Sequence, residues 1–186
     1  MVWYFVLFGL FAIRKIADQM RSRRNFAALV ERRLYPDEDR ALAWLVITHL
    51  AFFVLTPVEI LLLDRRFVPA IGVPMIGLLV AATALRYWST SHLGHYWTSR
   101  VAVPHDMRPV VCGPYRLVRH PNYLAMSLEL LAMDLIYTAW WTALVVSALN
   151  AWSMYLRIGA EERVLFQIPA YRAAMQHKAR LIPGVY

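Results

Sequence analysis

Two short stretches hold the residue types best suited to chemistry. The first is Gly113-Pro114-Tyr115-Arg116-Leu117-Val118-Arg119-His120-Pro121-Asn122-Tyr123. Gly-Pro marks a turn. His120 precedes a proline and is pushed out of the α region, while Pro121 suits the first turn of a helix. Arg116, Arg119, His120 and Tyr123 therefore gather at a helix mouth, where free N–H groups and cationic neighbours favour an anion. Arg119 also reads as plain membrane-surface charge. The second stretch is Arg157 with Glu161 and Glu162. Arg157 and Glu161 are four apart and share a face if the segment is helical. As a solvated ion pair they would contribute only about 0.3–0.5 kcal/mol. In a site, Glu161 would accept hydrogen bonds from the hydroxyls or amine of a cofactor, and Arg157 would orient an anionic substrate oxygen.

The elements that must position these residues are apolar. Of the 186 residues, 60% are hydrophobic, and the mean hydropathy is +0.44. Soluble domains hold about 45–50% apolar residues, so the excess, gathered in long runs, points to a bilayer. Five spans are expected, at about 2–13, 42–63, 68–87, 122–137 and 142–156, in one all-α polytopic membrane domain. The first is short for a span of about 20 residues. It does not read as a signal peptide, because its positive charges follow the run and no small-residue cleavage site appears. Residues 14–40 form a polar connection with weak helical periodicity, either an interfacial helix or a solvated connector. All 20 Lys and Arg residues except Arg65 and Arg66 then fall on one side of the membrane. The positive-inside rule places the N-terminus outside and the C-terminus in the cytoplasm. The fourth and fifth spans form a tight hairpin that brings His120 and Arg157 together on the cytoplasmic face.

The net charge of +8 is accounted for by basic residues flanking apolar runs. There is no groove-reading motif, so nucleic acid is not an expected partner. Glu59, Glu129 and Asp134 fall within spans, where a carboxylate is costly and raises a functional question. Glu129, two turns after Asn122, is a candidate for the substrate wall, whereas Glu59 and Asp134 also suit positions near the interface. Thr56-Pro57 should kink the second span, and Arg86-Tyr87-Trp88 reads as an interfacial anchor. Trp97 to Val103 alternates like a short strand. Cys112 is the lone cysteine, so neither an intrachain disulfide nor a cysteine zinc site is expected, and no metal site is assigned. There is no GxGxxG, GxxxxGK[ST], HExxH or nucleophile elbow, which argues against a soluble nucleotide-cofactor domain.

Arg119-His120-Pro121-Asn122-Tyr123, with Gly113-Pro114-Tyr115 before it and Glu161-Glu162 and a terminal Tyr-Arg…Ile-Pro-Gly after it, resembles the isoprenylcysteine carboxyl methyltransferase family. The likeness runs from about Leu85 to the C-terminus. Sterol-reductase-type membrane enzymes, which use NADPH, share the Arg-His-Pro-x-Tyr element but carry a different acidic motif followed by Lys-Tyr-Gly. Glu161-Glu162-Arg163-Val164-Leu165 matches the methyltransferase form better. The first connection and Trp88 to Val103 look more like bacterial relatives that methylate alkylpyrones or alkylresorcinols. The resemblance implies S-adenosylmethionine bound on the cytoplasmic side by the last two spans. It places Arg108, Val110, Tyr115, His120, Pro121, Asn122, Tyr123 and Glu161 at cofactor-contacting positions, and Arg157 near the substrate. The implied acceptor is a lipophilic or lipidated molecule drawn from among membrane lipids. A carboxylate acceptor needs no strong base, whereas a phenol would need one, with Glu161, Glu162, His120 and Tyr115 as candidates. A membrane scaffold without catalysis is the competing reading from another class, and it gives these residues no shared purpose.

Overall fold

The computed structural model describes residues 1–29, 33–34, 40–104 and 107–184. The main helices are α1 (Val2–Ala28), α2 (Arg40–Leu62), α3 (Pro69–Leu93), α4 (Pro121–Ile136), α5 (Trp140–Leu165) and the short α6 (Pro169–Met175). Two-residue strands β1 (Arg33–Leu34) and β2 (Val103–Pro104) pair antiparallel, with Arg33 opposite Pro104 and Leu34 opposite Val103. The strand-like alternation of Trp97 to Val103 thus yields only the two-residue β2. α3 packs on α4, α2 on α5, and α4 on α5. Tyr4, Phe11, Phe52, Ile60, Leu79, Leu130, Met133 and Ile136 form the main apolar core.

Among the described residues, two helices are long and apolar enough to cross a membrane, Ala41–Leu62 and Pro69–Tyr96. The other expected spans depart from that standard for local reasons. The first apolar run is the opening of a 27-residue helix whose second half is charged. That helix includes Arg14 to Ala28, expected as a polar connection; the rest of the connection is described only at Leu29, at 33–34 and at Arg40. α4 has 16 residues. α5 continues past its apolar part for more than two turns, so that Arg157, Glu161 and Glu162 lie on one helix with the span.

Buried charges join the helices. Glu129 of α4 is fully buried. It accepts from Arg14 Nη2 at 2.7 Å, Lys15 Nζ at 2.9 Å and Thr83 Oγ1 at 3.2 Å. Arg86 Nε lies 3.9 Å from the same carboxylate, and Arg86 Nη2 donates to Asp18 Oδ2 at 3.0 Å. Arg86 is therefore an interior residue tying α3 to α1, while its neighbours Tyr87 and Trp88 remain exposed. At the other end, Glu59 of α2 accepts from the Thr142 backbone N–H at 2.6 Å, Thr142 Oγ1 at 2.7 Å and Trp141 N–H at 3.3 Å. Arg65 Nη2 pairs with it at 2.8 Å. Glu59 thus supplies from α2 the acceptor that the first turn of α5 lacks locally, which explains a carboxylate in an apolar run. Asp134 is buried and accepts from Thr56 Oγ1 at 2.7 Å. These bonds give Glu59 and Asp134 structural partners inside the helix packing.

Candidate active site

The first chemical stretch folds as the residue types dictate. Gly113 has φ +57, and a Cβ there would lie 2.8 Å from the His92 ring, so both backbone and space require glycine. Gly113–Arg116 forms a single 3₁₀ turn. His120 is the N-cap of α4, with Pro121 at its first position. The C-terminal tail then straps the segment. Arg119 N–H donates to the Ala179 carbonyl and His120 N–H to the Arg180 carbonyl, both at 2.9 Å. Val118 and Ala179 form a parallel bridge, and Lys178 Nζ donates to the Tyr115 carbonyl at 2.7 Å.

Tyr123, in the first turn of α4, faces the C-terminal half of α5. Its hydroxyl accepts from Arg157 Nε at 2.8 Å and donates to Glu161 Oε2. The Arg157 guanidinium also sits over the Tyr123 ring, 5.6 Å from its centroid. His120 also stacks with Tyr123, with ring centroids 5.4 Å apart and planes 16° from parallel. A single phenol thus links the two chemical stretches. Arg157 is 2% exposed, so its orientation is set by packing as well as by hydrogen bonding.

These groups border a cavity whose far wall comes from the segment after α3. Asn122, Glu161 and His120 bring polar atoms to it, Tyr115, Tyr171 and Trp97 bring aromatic surface, and Val110 and Leu165 bring apolar surface. The Oδ1 of Asn122 is buried with no hydrogen-bond donor among the described residues. Burial, reinforced by the nearby Glu161 charge, pushes the Tyr115 phenol well above its usual range. Burial and the charges of Glu161 and Glu162 do the same to Tyr171. Both stay neutral at physiological pH, so Tyr115 serves as wall rather than as a base.

Glu162 points elsewhere. His120 Nε2 lies 3.2 Å from its Oε1, Arg119 Nε lies 2.9 Å from the same oxygen, and Arg180 Nη2 lies 2.9 Å from Oε2. Burial opposes its charge, but the His120 contact, the Arg180 hydrogen bond and the Arg119 charge hold its carboxyl below the usual range. A carboxylate at Oε1 makes His120 Nε2 the donor in that contact. Glu162 lies outside the cavity lining and acts on the site through His120.

Of the residues expected from sequence, Val110, Tyr115, His120, Asn122, Tyr123, Arg157 and Glu161 border one cavity. Pro121 is buried at the start of α4 and presents its neighbours from outside the lining. Arg108 is exposed on the segment after α3 and outside the lining. Glu129 belongs to the Arg14–Lys15–Arg86 cluster and stands apart from the cavity. The sequence reading did not anticipate Trp97, Tyr171 or the Ala179–Arg180 strap. The Ile168-Pro169-Ala170-Tyr171 pattern carried a usable signal, since Pro169 starts α6 and sets Tyr171 on its first turn.

The fold and site define a mostly helical protein with a polar, aromatic-walled cavity where two packed helices leave their apolar part. Residues 75–167 match the model of the isoprenylcysteine carboxyl methyltransferase family. The chain belongs to that family of membrane methyltransferases, and the matched residues contain both chemical stretches. The chain is also similar to the uncharacterized protein YpbQ of Bacillus subtilis (strain 168), 26% identical over 165 residues. That match covers 87% of this chain and 96% of the relative.

Proposed function

We propose that the protein transfers a methyl group from S-adenosylmethionine to a carboxylate or hydroxyl oxygen on the polar head of a lipophilic acceptor, of the prenylcysteine or the alkylpyrone and alkylresorcinol kind. Five helices cross the bilayer, the N-terminus lies outside, and the cavity faces the cytoplasm. The observation that carries this reading is the Arg157–Tyr123–Glu161 chain of hydrogen bonds joining α5 to α4 beside that cavity. The family match favours methyl transfer over an NADPH-dependent reduction.

The residues fit the cofactor chemically. Glu161 and the orphaned Asn122 Oδ1 are acceptors for an amine or ribose hydroxyls. Tyr115, Tyr171 and Trp97 offer faces for a purine. Arg119, on the same lining, can meet a carboxylate. The cavity holds about 70 Å³, whereas ligand sites run to about 300–1,000 Å³. Its walls therefore separate on binding.

When bound, S-adenosylmethionine supplies an activated methyl group on a sulfonium. The protein's own contribution is positioning. Tyr123 fixes the Arg157 guanidinium on one side and the Glu161 carboxylate on the other. Arg157 holds an anionic acceptor oxygen by charge-assisted hydrogen bonds. A carboxylate acceptor gives up no proton, so no base acts on it. With a hydroxyl acceptor, Glu161 is the carboxylate on the cavity lining able to take the proton. Glu162, already engaged by Arg119 and Arg180, holds His120 in place.

Calorimetric titration of the detergent-purified protein with S-adenosylhomocysteine and, separately, with NADPH tests the assignment. Micromolar binding of the first and none of the second is expected. The reverse result would move the chain to the reductases.

A further inference from the structure

Residues 96–98 and 100–103 all border the active-site cavity, and Ser99 between them does not. Ser99 is held by α1 instead. Its N–H donates to the Ser22 Oγ at 2.6 Å, and its Oγ donates to Gln19 Oε1 at 3.0 Å. Ser22 is buried. One turn further along α1, Asn25 grips the start of the same wall. Its Nδ2 donates to the Trp97 carbonyl at 2.8 Å and to the Gly94 carbonyl at 3.2 Å. These two carbonyls bracket the 3₁₀ turn Gly94–Tyr96, where the chain leaves α3 through Gly94 at φ +55. Carbonyls at a helix end have no partner within the helix and need a donor from outside it. An amide nitrogen carries two protons, one for each.

The ring of Trp97 is held as well as its backbone. The Arg21 guanidinium of α1 lies 5.5 Å from the ring centroid and the Arg86 guanidinium of α3 lies 5.8 Å from it, both within cation–π range. Arg86 is itself fixed by Asp18 of α1. Asp18, Ser22 and Asn25 recur at helical spacing and so share one face of α1. That face is turned to the end of α3 and to the wall that follows it. At the far end of the wall, Leu34 of β1 pairs with Val103.

We propose that Asn25, together with Ser22, is a positioning residue of the reaction site, holding Trp97 and the wall behind it in the arrangement that receives the cofactor. The inference rests on the cofactor reading above. It extends the reaction site to a helix outside residues 75–167, which match the family model. Neither side chain borders the cavity, so each acts through the backbone of 94–99. A wall already held in its bound arrangement gives up less freedom on binding, and affinity rises accordingly. Asn25→Asp is the sharpest probe. Aspartate has the same shape but no N–H to give, and it sets a charge against two carbonyl oxygens.

Calorimetric titration of the full chain in detergent with S-adenosylhomocysteine tests it, in the wild type and in Asn25→Asp, Ser22→Ala, Trp97→Ala and the combination of Asn25→Asp with Trp97→Ala. Asn25→Asp should weaken binding about tenfold with the stoichiometry preserved, as the loss of two hydrogen bonds requires. Ser22→Ala should act in the same direction by less. A residue that only holds the fold together would behave differently, lowering the stoichiometry while the molecules still folded keep the wild-type Kd. That pattern in Asn25→Asp and Ser22→Ala would overturn the proposal. The combined variant should lose much less than the product of the two single losses, because both act through one wall. A full product would place the action of Asn25 elsewhere and overturn it. Hydrogen exchange of the peptide spanning 94–103 should quicken in Asn25→Asp without any ligand, and unchanged exchange would count against the proposal in the same way. Unchanged affinity in Asn25→Asp and Ser22→Ala beside micromolar binding by the wild type would overturn the proposal and leave the cofactor assignment standing. No binding by the wild type would overturn that assignment, and this proposal with it.

Discussion

The Nε of Arg157 on α5 donates to the hydroxyl of Tyr123 on α4 at 2.8 Å. That hydroxyl has one proton to give and gives it to Glu161, so its direction is set. Removing the hydroxyl leaves a buried guanidinium and a carboxylate each short of a partner, which costs about 1–3 kcal/mol. Tyr123→Phe should therefore keep the fold and lower turnover at least tenfold, measured as methyl transfer to a lipid acceptor in proteoliposomes. Wild-type rates in this variant would show that the hydrogen-bond chain does not position the reacting groups.

Glu161→Ala should abolish measurable S-adenosylhomocysteine binding while expression and the thermal midpoint stay near wild type. A charge-assisted hydrogen bond is worth roughly 1.5–3 kcal/mol, so a loss of tenfold or more is the minimum expected in a titration. Unchanged affinity would remove Glu161 from the cofactor site.

Arg157→Lys keeps the charge but replaces the planar fork that meets the Tyr123 hydroxyl. Turnover should fall by tenfold or more, with less effect on cofactor affinity than Glu161→Ala produces. A variant with full activity would exclude Arg157 from acceptor binding.

Glu129→Gln should act on stability, because the side chain joins α1 to α4 through Arg14 and Lys15. Loss of one partner from a buried ionic cluster costs about 3–5 kcal/mol. The expected result is a lowered thermal midpoint in detergent with the acceptor KM unchanged in the protein that stays folded. A raised KM at unchanged stability would return Glu129 to the substrate wall.

Much of this arrangement is legible in the residue types. Pro121 after His120 announces the start of α4, and the lengths of the runs containing Leu42 and Val68 announce α2 and α3. The spacing of Arg157 and Glu161 places both on one helical face. The remainder was hidden for physical reasons. Arg86 beside Tyr87 and Trp88 has the composition of an interfacial anchor, and only the approach of Asp18 and Glu129 from other helices makes it an interior residue. Glu59 in an apolar run looks like a functional acid until the first turn of α5 arrives to use it. The strap from Ala179 and Arg180 to Arg119 and His120 is made by backbone groups, which leave no periodicity to read.

Glu162 sets an acid limit on stability. Its carboxyl is held below the ordinary value of 4.5 in the folded protein. A lowered folded value means that the contribution is fully present above the unfolded value and is lost as pH falls through the folded one. The thermal midpoint should therefore be flat between about pH 7 and pH 5 as far as this group is concerned, and should fall at lower pH. Glu162→Gln should start from a lower midpoint and show a shallower acid limb. An identical acid limb in the variant would show that Glu162 carries no such linkage.

The length of α4 has one more consequence. Its 16 residues rise about 24 Å, short of a hydrocarbon core of about 30 Å, while the 23 residues of α2 rise about 35 Å. A short helix beside long ones draws the membrane surface inward around its end. In the proposed five-span arrangement Tyr123 would stand at the bottom of a dimple, where a lipid-borne head group would meet it without leaving the depth at which its chain lies. Turnover is then expected to vary with membrane thickness, and vesicles of graded acyl length will read it.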